Sequence, residues 1–474
     1  MPLEFSKKLA ARETPIPGVV LYDLPVHGDN RGWFKENWQR EKMVALGLPD
    51  FRPVQNNISF NEKAGTTRGI HAEPWDKFIS VATGKIFGAW VDLRQGPSFG
   101  TVFTAELDPS QAIFIPRGVG NAFQTLEDNT AYTYLVNDHW SADAQSQYTF
   151  LNLADETVSV PWPIPLSQAE LSDKDKAHPR LADVVPMPPK KTLVVGANGQ
   201  LGKALRNLYE GDSSVEFAGR SEFDLGSRES FAGRNWKNYS TIINAAAYTA
   251  VDAAESPEGR AEAWSVNVAA VSALARTAVE HDLTLVHVSS DYVFDGAQVL
   301  HREDEPFTPL GVYGQTKAAA DAIVQVVPRH YIVRTSWVIG DGNNFVRTMA
   351  SLADRGIEPS VVNDQIGRLS FTEDIAAGIR HLLDSGVEYG TYNLSSDGEP
   401  QSWADLAADV YELSGKDRAA VTGVSTAEYF KGKEAAPRPL NSVLDLAKIK
   451  AAGYEPALSS TRLESYVKNG LIKQ

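Results

Sequence analysis

Two residues with a spacing that suits proton transfer, Tyr313 and Lys317, lie four positions apart in an alanine-rich segment. The segment predicts a helix, so both side chains share one face. A lysine beside a phenol favours the phenolate and lowers the pKa of the phenol, which makes tyrosine a usable proton donor near neutral pH. Upstream, an apolar run rich in β-branched residues predicts a buried strand ending in Ser289 and Ser290. The same spacing occurs on solvated helix faces, but the serine and a nucleotide-binding pattern further upstream favour catalysis.

That nucleotide-binding pattern is a glycine-rich turn, Gly196–Gly202, between the apolar strand Lys191–Val195 and a helical segment. Such a turn lets backbone amides approach a pyrophosphate at a helix N-terminus. The small residues Ala245–Ala247, which follow a later predicted strand, let a cofactor lie against the backbone. Arg220, with no acid beside it, can pair with a 2′-phosphate and indicates that NADPH is accepted. Asp224 is placed for an adenine contact. We expect NADPH or NADH to bind at Gly196, Asn198, Gly199, Gln200, Leu201, Gly202, Arg220, Asp224, Ala245, Ala246, Ala247, Tyr313 and Lys317.

Composition narrows the class of protein. The chain has 474 residues, which predicts two or three domains, and its 43% hydrophobic and 22% charged content is typical of a soluble globular protein. The net charge of -15 argues against a nucleic acid or an acidic membrane as partner. The absence of cysteine excludes disulfides, thiolate zinc sites and a cysteine nucleophile. No apolar run reaches membrane-spanning length and the start is no secretory signal, so we expect a cytoplasmic protein.

A proline-rich stretch near residue 187 separates two sequence patterns. Before it, short runs of aromatic and β-branched residues alternate with turns, which predicts an antiparallel barrel or sandwich. After it, apolar strands alternate with alanine-rich helices, which predicts a Rossmann-like doubly wound α/β sheet. We therefore expect an all-β domain at 1–185, a linker at 186–191 and a nucleotide-binding domain at 192–474.

Residues suited to chemistry in the first domain come from many separate strands. In a small barrel alternate residues point inward, so distant strands can converge on one lumen. The set comprises Asp29–Phe34, Gln55–Asn57, Arg68–His71, Lys77, Ile115–Gly118, Tyr134 and Asp155. Together these residues resemble the cupin-fold dTDP-4-dehydrorhamnose 3,5-epimerases, over most of residues 16–163.

The resemblance implies a role for each matching residue. His71 is the base, oriented by Asp155, Tyr134 is the acid on the opposite face, and Lys77 stabilises the enolate. These types suit the reaction, because a C4 ketone acidifies the hydrogens at C3 and C5 and inversion needs a base and a proton source on opposite sides. The implied substrate-binding residues are Arg31, Phe34, Glu36, Gln55, Asn57, Arg68 and Asn121, with Arg31 and Arg68 on the diphosphate. The resemblance also implies a homodimer through this domain.

Asn121 departs from the family pattern, which has a histidine there. A metal-binding cupin is the competing interpretation, since His71 and Glu73 are two potential ligands. Such a site needs a further histidine where Asn121 stands, and carboxamides are poor substitutes for imidazole on transition metals. We therefore expect no metal.

The second domain resembles the extended short-chain dehydrogenase/reductases, and more closely the dTDP-4-dehydrorhamnose reductases, from Thr192 onward. The resemblance implies that Tyr313 donates a proton to the C4 ketone while the nicotinamide supplies hydride, that Lys317 holds the ribose and that Ser290 hydrogen-bonds the carbonyl. It places Trp337 and Asn344 in the sugar pocket and Gln365 and Arg438 at the nucleotide end. The motifs that carry it are Asn244–Asp252, Ser290–Gly296, Tyr313–Lys317, Arg334–Trp337, Asn363–Gly367 and Arg438–Ser442; Gly367–Ser370 departs from it.

The two resemblances fit one another, because the product of the first domain would be the substrate of the second. The chain is expected to epimerise dTDP-4-dehydro-6-deoxy-glucose at C3 and C5 and then to reduce the C4 ketone, giving dTDP-L-rhamnose. Three alternatives stay open: the same chemistry on another nucleotide 6-deoxysugar, a regulatory subunit that binds dinucleotide without turnover, and a cupin that only binds sugar.

Overall fold

The computed structural model describes residues 5, 7–140 and 143–470. Contacts between residues divide the chain into two units, 1–189 and 190–474. Among the described residues, no helix combines the length and the apolar character that crossing a bilayer requires.

The first unit is a jelly roll of two antiparallel sheets. Its strands are β1 (Ala10–Glu13), β2 (Val20–Asp23), β3 (Val26–Asp29), β4 (Gly32–Lys35), β5 (Gln55–Asn61), β6 (Thr67–Ala72), β7 (Lys77–Thr83), β8 (Ile86–Asp92), β9 (Val102–Leu107), β10 (Gln111–Ile115), β11 (Val119–Thr125), β12 (Thr130–Val136) and β13 (Thr149–Phe150), with short helices α1 (Arg40–Val44) and α2 (Asp173–Lys176). One sheet has the order β1-β2-β10-β7-β12-β5 and the other β13-β6-β11-β8-β9, while β3 and β4 form a hairpin.

The five-stranded sheet is covered on both faces, which explains its nearly continuous apolar strands. Trp90 on β8 packs into the core between the two sheets. Its neighbours Ala89 and Val91 point the other way, into a layer built with Leu151 and Leu153 from the segment after β13. In this sheet β6 lies between β13 and β11, so that segment also passes close to β6.

The second unit is a doubly wound α/β domain with a smaller lobe. A parallel sheet has the order β15-β14-β16-β17-β18-β23, and three short pairs, β19-β22, β20-β25 and β21-β24, stand apart from it. The strands are β14 (Lys191–Val195), β15 (Val215–Ala218), β16 (Tyr239–Asn244), β17 (Thr284–Ser290), β18 (His330–Thr335), β19 (Val338–Ile339), β20 (Ser360–Val362), β21 (Ile366–Gly367), β22 (Ser370–Phe371), β23 (Gly390–Asn393), β24 (Gln401–Ser402) and β25 (Thr422–Val424). The helices are α3 (Gln200–Leu208), α4 (Arg228–Ala232), α5 (Pro257–Trp264), α6 (Ala270–Glu280), α7 (Val312–Val324), α8 (Phe345–Asp354), α9 (Thr372–Ser385), α10 (Trp403–Leu413), α11 (Thr426–Tyr429), α12 (Ala447–Ala451) and α13 (Ser459–Ser465).

Alternate residues of the parallel strands pack against two different layers of helices. Val195 and Ile242 pack with α6 and α7, whereas Val194 and Ile243 pack with α3 and α9. The lobe has its own core, built from α8, α10 and residues near the C-terminus. Both predicted fold classes, the all-β barrel and the Rossmann-like sheet with a second lobe, are confirmed.

Candidate active sites

A cavity of about 1370 Å³ opens in the first unit. Its lining includes five of the residues that the sequence singles out, which arrive from β6, β7, β11 and β12: Arg68, His71, Lys77, Asn121 and Tyr134. The convergence expected for the lumen of a small barrel is therefore present for these five.

His71 lies at this cavity with one third of its side chain exposed, and its partner is Asp175. His71 Nε2 and Asp175 Oδ1 are 2.9 Å apart. Burial opposes ionisation of Asp175, but the hydrogen bond and charge of His71 outweigh it, so the pKa of the Asp175 carboxyl lies below its usual range. Because a carboxylate only accepts, Nε2 carries the hydrogen and Nδ1 keeps the lone pair. Nδ1 is thus the nitrogen available as a base.

The prediction that Asp155 orients His71 is wrong. Asp155 Oδ2 accepts the backbone N–H of Leu181 at 2.7 Å, and Oδ1 accepts those of Thr157 and Val158 at 2.9 and 3.0 Å. Burial raises the pKa of Asp155, but these backbone hydrogen bonds more than offset that effect, so the carboxyl pKa is lowered. Asp155 therefore pins the chain after β13, and the orienting role passes to Asp175, which the sequence reasoning missed.

Lys77 is buried and forms an ion pair with Glu73, also buried. Lys77 Nζ lies 4.8 Å from the centre of the Tyr134 ring. Burial, and next the charge of Glu73, raise the pKa of Tyr134, while a hydrogen bond with Asn57 opposes the rise. Tyr134 is accordingly a neutral phenol that can donate a proton. Glu73, noted from the sequence only as a possible ligand, is the ion-pair partner of the lysine assigned to the enolate.

Asn121 stands opposite His71 in the pairing of β11 with β6. Its Oδ1 accepts two buried hydrogen bonds, from Trp90 Nε1 at 3.1 Å and from the Tyr132 hydroxyl at 3.2 Å. Asn121 thus serves as an acceptor for its neighbours in the lumen.

Five predicted substrate-binding residues lie outside the described lining of the cavity: Arg31, Phe34, Glu36, Gln55 and Asn57. One of them, Asn57, contacts Tyr134. Arg31 pairs with Asp29 and its side chain is 84% exposed. Phe34 is exposed as well, and Glu36 pairs with Lys42. In β5, the Gln55 amide donates to Asn57 Oδ1 at 2.8 Å. Arg68 does line the cavity, and its Nε donates to Asn61 Oδ1 at 3.2 Å.

A second histidine, His178, lies against the base. Its ring stacks on Phe150 with centres 4.7 Å apart and meets the edge of His71 at 5.3 Å. The ligand atoms of His71, Asp175 and His178 lie within 4.8 Å of one another, a grouping that a metal could use. Burial, and next the charge of His71, lower the pKa of His178. The direct contact of His71 with Asp175 makes this group a hydrogen-bonded base with a neutral second imidazole beside it.

In the second unit the glycine-rich turn meets the alanines after β16, at the point where the strand order reverses. Gly196 has φ +78°, and a Cβ there would lie 2.5 Å from Ala246 N. A Cβ at Gly202 would lie 2.3 Å from Gly196 O. Gly199 precedes the first turn of α3, whose backbone N–H groups face the turn. This is the expected geometry for a dinucleotide crevice.

Not every residue assigned to this crevice is free to line it. Leu201 is buried in the hydrophobic core, whereas Gln200 Oε1 is buried without a hydrogen-bond partner among the described residues. Asn198 packs against the end of β15, where Gly219 has no side chain to obstruct it. A Cβ on Gly219 would lie 2.4 Å from Asn198 Nδ2.

Arg220 is exposed and forms no ion pair with any described residue. Asp224 Oδ1 accepts the N–H of Gly226 at 2.9 Å. The expectation of no acid near Arg220 is wrong, since Glu222 Oε2 turns back and accepts the Gly219 N–H at 2.8 Å. A carboxylate at the end of this strand suits ribose hydroxyls, whereas a guanidinium suits a 2′-phosphate. The site offers one group of each kind.

Ser290 ends β17, and Tyr313 and Lys317 lie on α7. Ser290 Oγ donates to Asp291 Oδ1 at 3.0 Å, and Ser290 favours the ionised form of Tyr313, which lowers the pKa of the phenol. The prediction that the pKa of Tyr313 is lowered is wrong in its net direction, because burial raises the pKa of Tyr313 to about 12 and outweighs the groups that favour the phenolate, Ser290 among them. Lys317 is fully buried and Nζ donates to Val288 O at 2.7 Å. Burial lowers the pKa of Lys317 to about 8, with Asp321 opposing.

Trp337 joins the sheet to the lobe and has φ +45°, a conformation uncommon for a bulky residue. Its indole stacks on Trp403 at 3.7 Å, a partner the sequence reasoning did not find. A Cβ at Gly367 would lie 2.8 Å from the Trp337 ring, so only glycine leaves room for it. Backbone strain at a residue held this firmly is typical of a functional position.

The polar residues assigned to the substrate are already engaged. The Asn344 amide nitrogen donates to Gly340 O at 2.8 Å and to the Tyr466 hydroxyl at 2.8 Å, and its oxygen accepts Arg347 N–H, so Asn344 caps α8 and has no amide hydrogen left for a sugar. Gln365 donates to Thr426 Oγ1 at 3.0 Å.

At the nucleotide end, Arg438 forms an ion pair with Asp252. Its Nη2 donates to both carboxylate oxygens of Asp252, each at 2.8 Å. Its guanidinium also lies 4.7 Å from the centre of the Phe430 ring. A ligand that uses Arg438 must therefore share it with Asp252.

Comparison with known proteins gives each unit a family. The family model described as the RmlD substrate binding domain matches residues 190–471, and that described as dTDP-4-dehydrorhamnose 3,5-epimerase matches residues 13–183. The chain belongs to the RmlD family. Its first unit is similar to the RmlC homolog of Streptococcus pyogenes, with 52% identity over 39% of this chain and 96% of that protein, and belongs to the epimerase family.

Relatives of the reductase unit cover nearly their whole length. The dTDP-4-dehydrorhamnose reductase of Aggregatibacter actinomycetemcomitans is 37% identical over 56% of this chain and 95% of that protein. Crystal structures of reductases from Clostridium acetobutylicum and, in complex with NADP, from Bacillus anthracis superpose with TM-scores of 0.55 and 0.54, at 33% and 31% identity, each covering 60% of this chain and 100% of the other. Both predicted families are confirmed, and with them an isomerase unit and an NAD(P)-dependent oxidoreductase unit in one polypeptide.

Proposed function

We propose that this polypeptide catalyses two consecutive reactions on one sugar nucleotide. The first unit epimerises dTDP-4-dehydro-6-deoxy-glucose at C3 and C5, and the second reduces the C4 ketone with NAD(P)H to give dTDP-L-rhamnose. The observation that carries the proposal is that each unit holds a complete proton-transfer group: His71 with Asp175 in one cavity with Tyr134, and Ser290 with Tyr313 and Lys317 on the nucleotide-binding sheet.

In the epimerase unit, His71 Nδ1 removes the proton beside the ketone while Asp175 accepts the Nε2 hydrogen. The paired carboxylate stabilises the imidazolium that forms. Tyr134 returns a proton from the other side, and its raised pKa keeps it protonated at neutral pH. Lys77 supplies positive charge for the enolate oxygen. Its ion pair with Glu73 stabilises this charge in a buried environment.

In the reductase unit, bound NAD(P)H supplies the hydride that reaches C4. The glycine cradle at Gly196 and Gly202, which any Cβ would fill, fits the pyrophosphate of such a cofactor. Tyr313 gives its hydroxyl proton to the carbonyl oxygen and Ser290 hydrogen-bonds that oxygen. Charge on Lys317 favours the phenolate that remains.

We infer a homodimer through the first unit. Two strands of this unit present large apolar side chains to solvent, Phe34 on β4 and Ile58 and Phe60 on β5, with exposures of 66%, 68% and 57%. β5 is an edge strand, and an exposed apolar edge is a ready pairing surface. Light scattering of the chain and of an Ile58→Lys variant would show a dimer and a monomer respectively.

The cytoplasmic location stays a prediction.

One incubation tests the proposed function. The 4-keto sugar nucleotide is incubated with the chain in D₂O, with and without NADPH, and the products are identified by NMR. Without NADPH we expect deuterium at C3 and C5, and with NADPH the rhamnose configuration. Another C4 configuration would support a different 6-deoxysugar. Exchange without reduction would instead leave the second unit as a dinucleotide-binding regulator, and reduction without exchange would leave the first as a sugar-binding cupin.

A further inference from the structure

A buried polar pair, Asn244 on β16 and His287 on β17, lies next to Lys317 and has no part in the mechanism above. The two residues are direct neighbours in the parallel sheet, and each is 1% exposed. Buried polar side chains are retained where their hydrogen bonds are satisfied, so the direction of each bond can be worked out.

The backbone fixes the orientation of the Asn244 amide. The N–H of Ala246, which can only donate, lies 3.1 Å from Asn244 Oδ1, so this atom is the oxygen. The amide nitrogen therefore faces His287 Nδ1, at 3.1 Å. An amide nitrogen only donates, so Nδ1 must present its lone pair.

The hydrogen of His287 consequently sits on Nε2. Burial, and next the positive charge of Lys317, hold the pKa of His287 well below its usual value, so the ring is neutral and carries one hydrogen. That hydrogen is directed toward Lys317, because Nε2 lies 3.5 Å from Lys317 Nζ. An ammonium group has no lone pair to accept it, whereas a neutral amine does.

The other groups around Lys317 do not reverse this preference. Val288 O accepts a hydrogen from Nζ in either protonation state. Asp321, one turn along α7, favours the charged form; its Oδ2 is paired with Arg334 at 2.9 Å, and burial outweighs its effect, so the pKa of Lys317 is lowered. Tyr313, one turn before Lys317 on α7, is a neutral phenol, and Asp291, which lies against Ser290, has a pKa that burial raises to about 6.

We propose that His287 is a positioning residue for the reduction: oriented by Asn244, its Nε2–H favours the neutral amine of Lys317 and so sets the pH above which Tyr313 loses its cationic neighbour. The inference rests on the proposed reductase function, in which charge on Lys317 supports Tyr313. It agrees with the lowered pKa of Lys317, of which burial is the main cause.

The direction of the pH effect follows from the charge of Lys317. Lys317 is charged below its pKa, so we expect reduction to be fast below about pH 8 and to slow as the pH rises through that value.

Asn244→Asp reverses the hydrogen-bond chain, because a carboxylate accepts both from Ala246 N–H and from His287 Nδ1–H. Nε2 then accepts from the ammonium, and we expect the alkaline limb of kcat/KM to move up by about one pH unit.

A double variant separates this hydrogen-bond effect from the added negative charge. Asn244→Asp with His287→Leu keeps the carboxylate but removes the imidazole, and we expect it to move the alkaline limb by less than half as much. An equal movement in the single and double variants would overturn the proposal, since charge alone would then explain it.

A direct measurement on the unmodified sequence depends on neither turnover nor a pH profile, and it uses a variant only to assign a signal. In the full chain labelled with ¹⁵N-histidine, NMR reports which ring nitrogen of His287 carries hydrogen, and His287→Leu identifies the signal. We expect hydrogen on Nε2. Hydrogen on Nδ1 would refute the proposal even if the reductase is fully active, whereas the predicted tautomer in a chain that does not reduce the sugar would refute only the function assigned to Lys317.

Discussion

Replacement of Asp175 by asparagine tests the arrangement of the epimerase base. The substitution keeps the size of the side chain but removes the charge from an oxygen that lies 2.9 Å from His71 Nε2. A hydrogen bond to a charged group contributes about 1.5–3 kcal/mol, which corresponds to a factor of about ten to 150 in rate. Because one third of the His71 side chain is exposed to water, we expect the lower half of that range.

The matched control is Asp155→Asn. Asp155 is also buried, but its oxygens accept three backbone N–H groups and none from His71. This substitution should lower stability, by about 1–3 kcal/mol for a disturbed buried hydrogen-bond set, and leave the exchange rate per folded molecule nearly unchanged. Incorporation of deuterium at C3 and C5 of the keto sugar, followed by NMR without cofactor, measures the rate, and urea denaturation measures the stability.

The two variants give opposite results under the two possible pairings. If Asp155→Asn slowed exchange tenfold or more while Asp175→Asn did not, the carboxylate that serves His71 would be the one predicted from the sequence, and the hydrogen bond to Asp175 would have no catalytic meaning. Equal, small effects would show that His71 acts without an orienting carboxylate.

Three further substitutions test the reductase unit. Tyr313→Phe should lower NADPH-dependent reduction by at least about a hundredfold, because the proton donor is lost, while deuterium exchange in the epimerase unit continues unchanged. Arg220→Ala should raise KM for NADPH about tenfold, by loss of a charge-assisted contact to the 2′-phosphate, and leave KM for NADH within about twofold, as measured by steady-state oxidation of each cofactor. Gly367→Ala places a methyl group 2.8 Å from the Trp337 ring and should destabilise the lobe by about 1–3 kcal/mol in urea denaturation, with a raised KM for the sugar nucleotide.

Two parts of the reductase site were predictable because spacing along the chain alone fixes their geometry. Tyr313 and Lys317 share one helix face, and the turn Gly196–Gly202 lies between a strand and a helix, because both arrangements depend on neighbours in the chain. The barrel lumen was also predictable in outline, since alternation along a strand decides which side chains point inward. His71, Lys77 and Tyr134 meet at one cavity for this reason.

The errors arose where distant segments or burial decide. His71 and Asp175 are 104 positions apart, and their contact depends on the path of the segment after β13 across the sheet. Glu222 reaches the end of β15 through a turn whose shape no pattern revealed. The pKa of Tyr313 follows from burial, which opposes the phenolate more strongly than a neighbouring group favours it.

Asn121, which stands where the epimerase pattern has a histidine, lies in the lumen but does not alter the hydrogen bonding of His71. Trp90 and Tyr132 both direct a buried hydrogen at this position, and the indole N–H of Trp90 can only donate. The amide oxygen satisfies both donors, whereas a neutral imidazole would accept from Trp90 and would have to reverse the second bond by donating to the Tyr132 hydroxyl oxygen. His71 takes its own partner, Asp175, from α2. Asparagine at position 121 therefore satisfies its buried neighbours Trp90 and Tyr132, and the pairing of His71 with Asp175 does not depend on it.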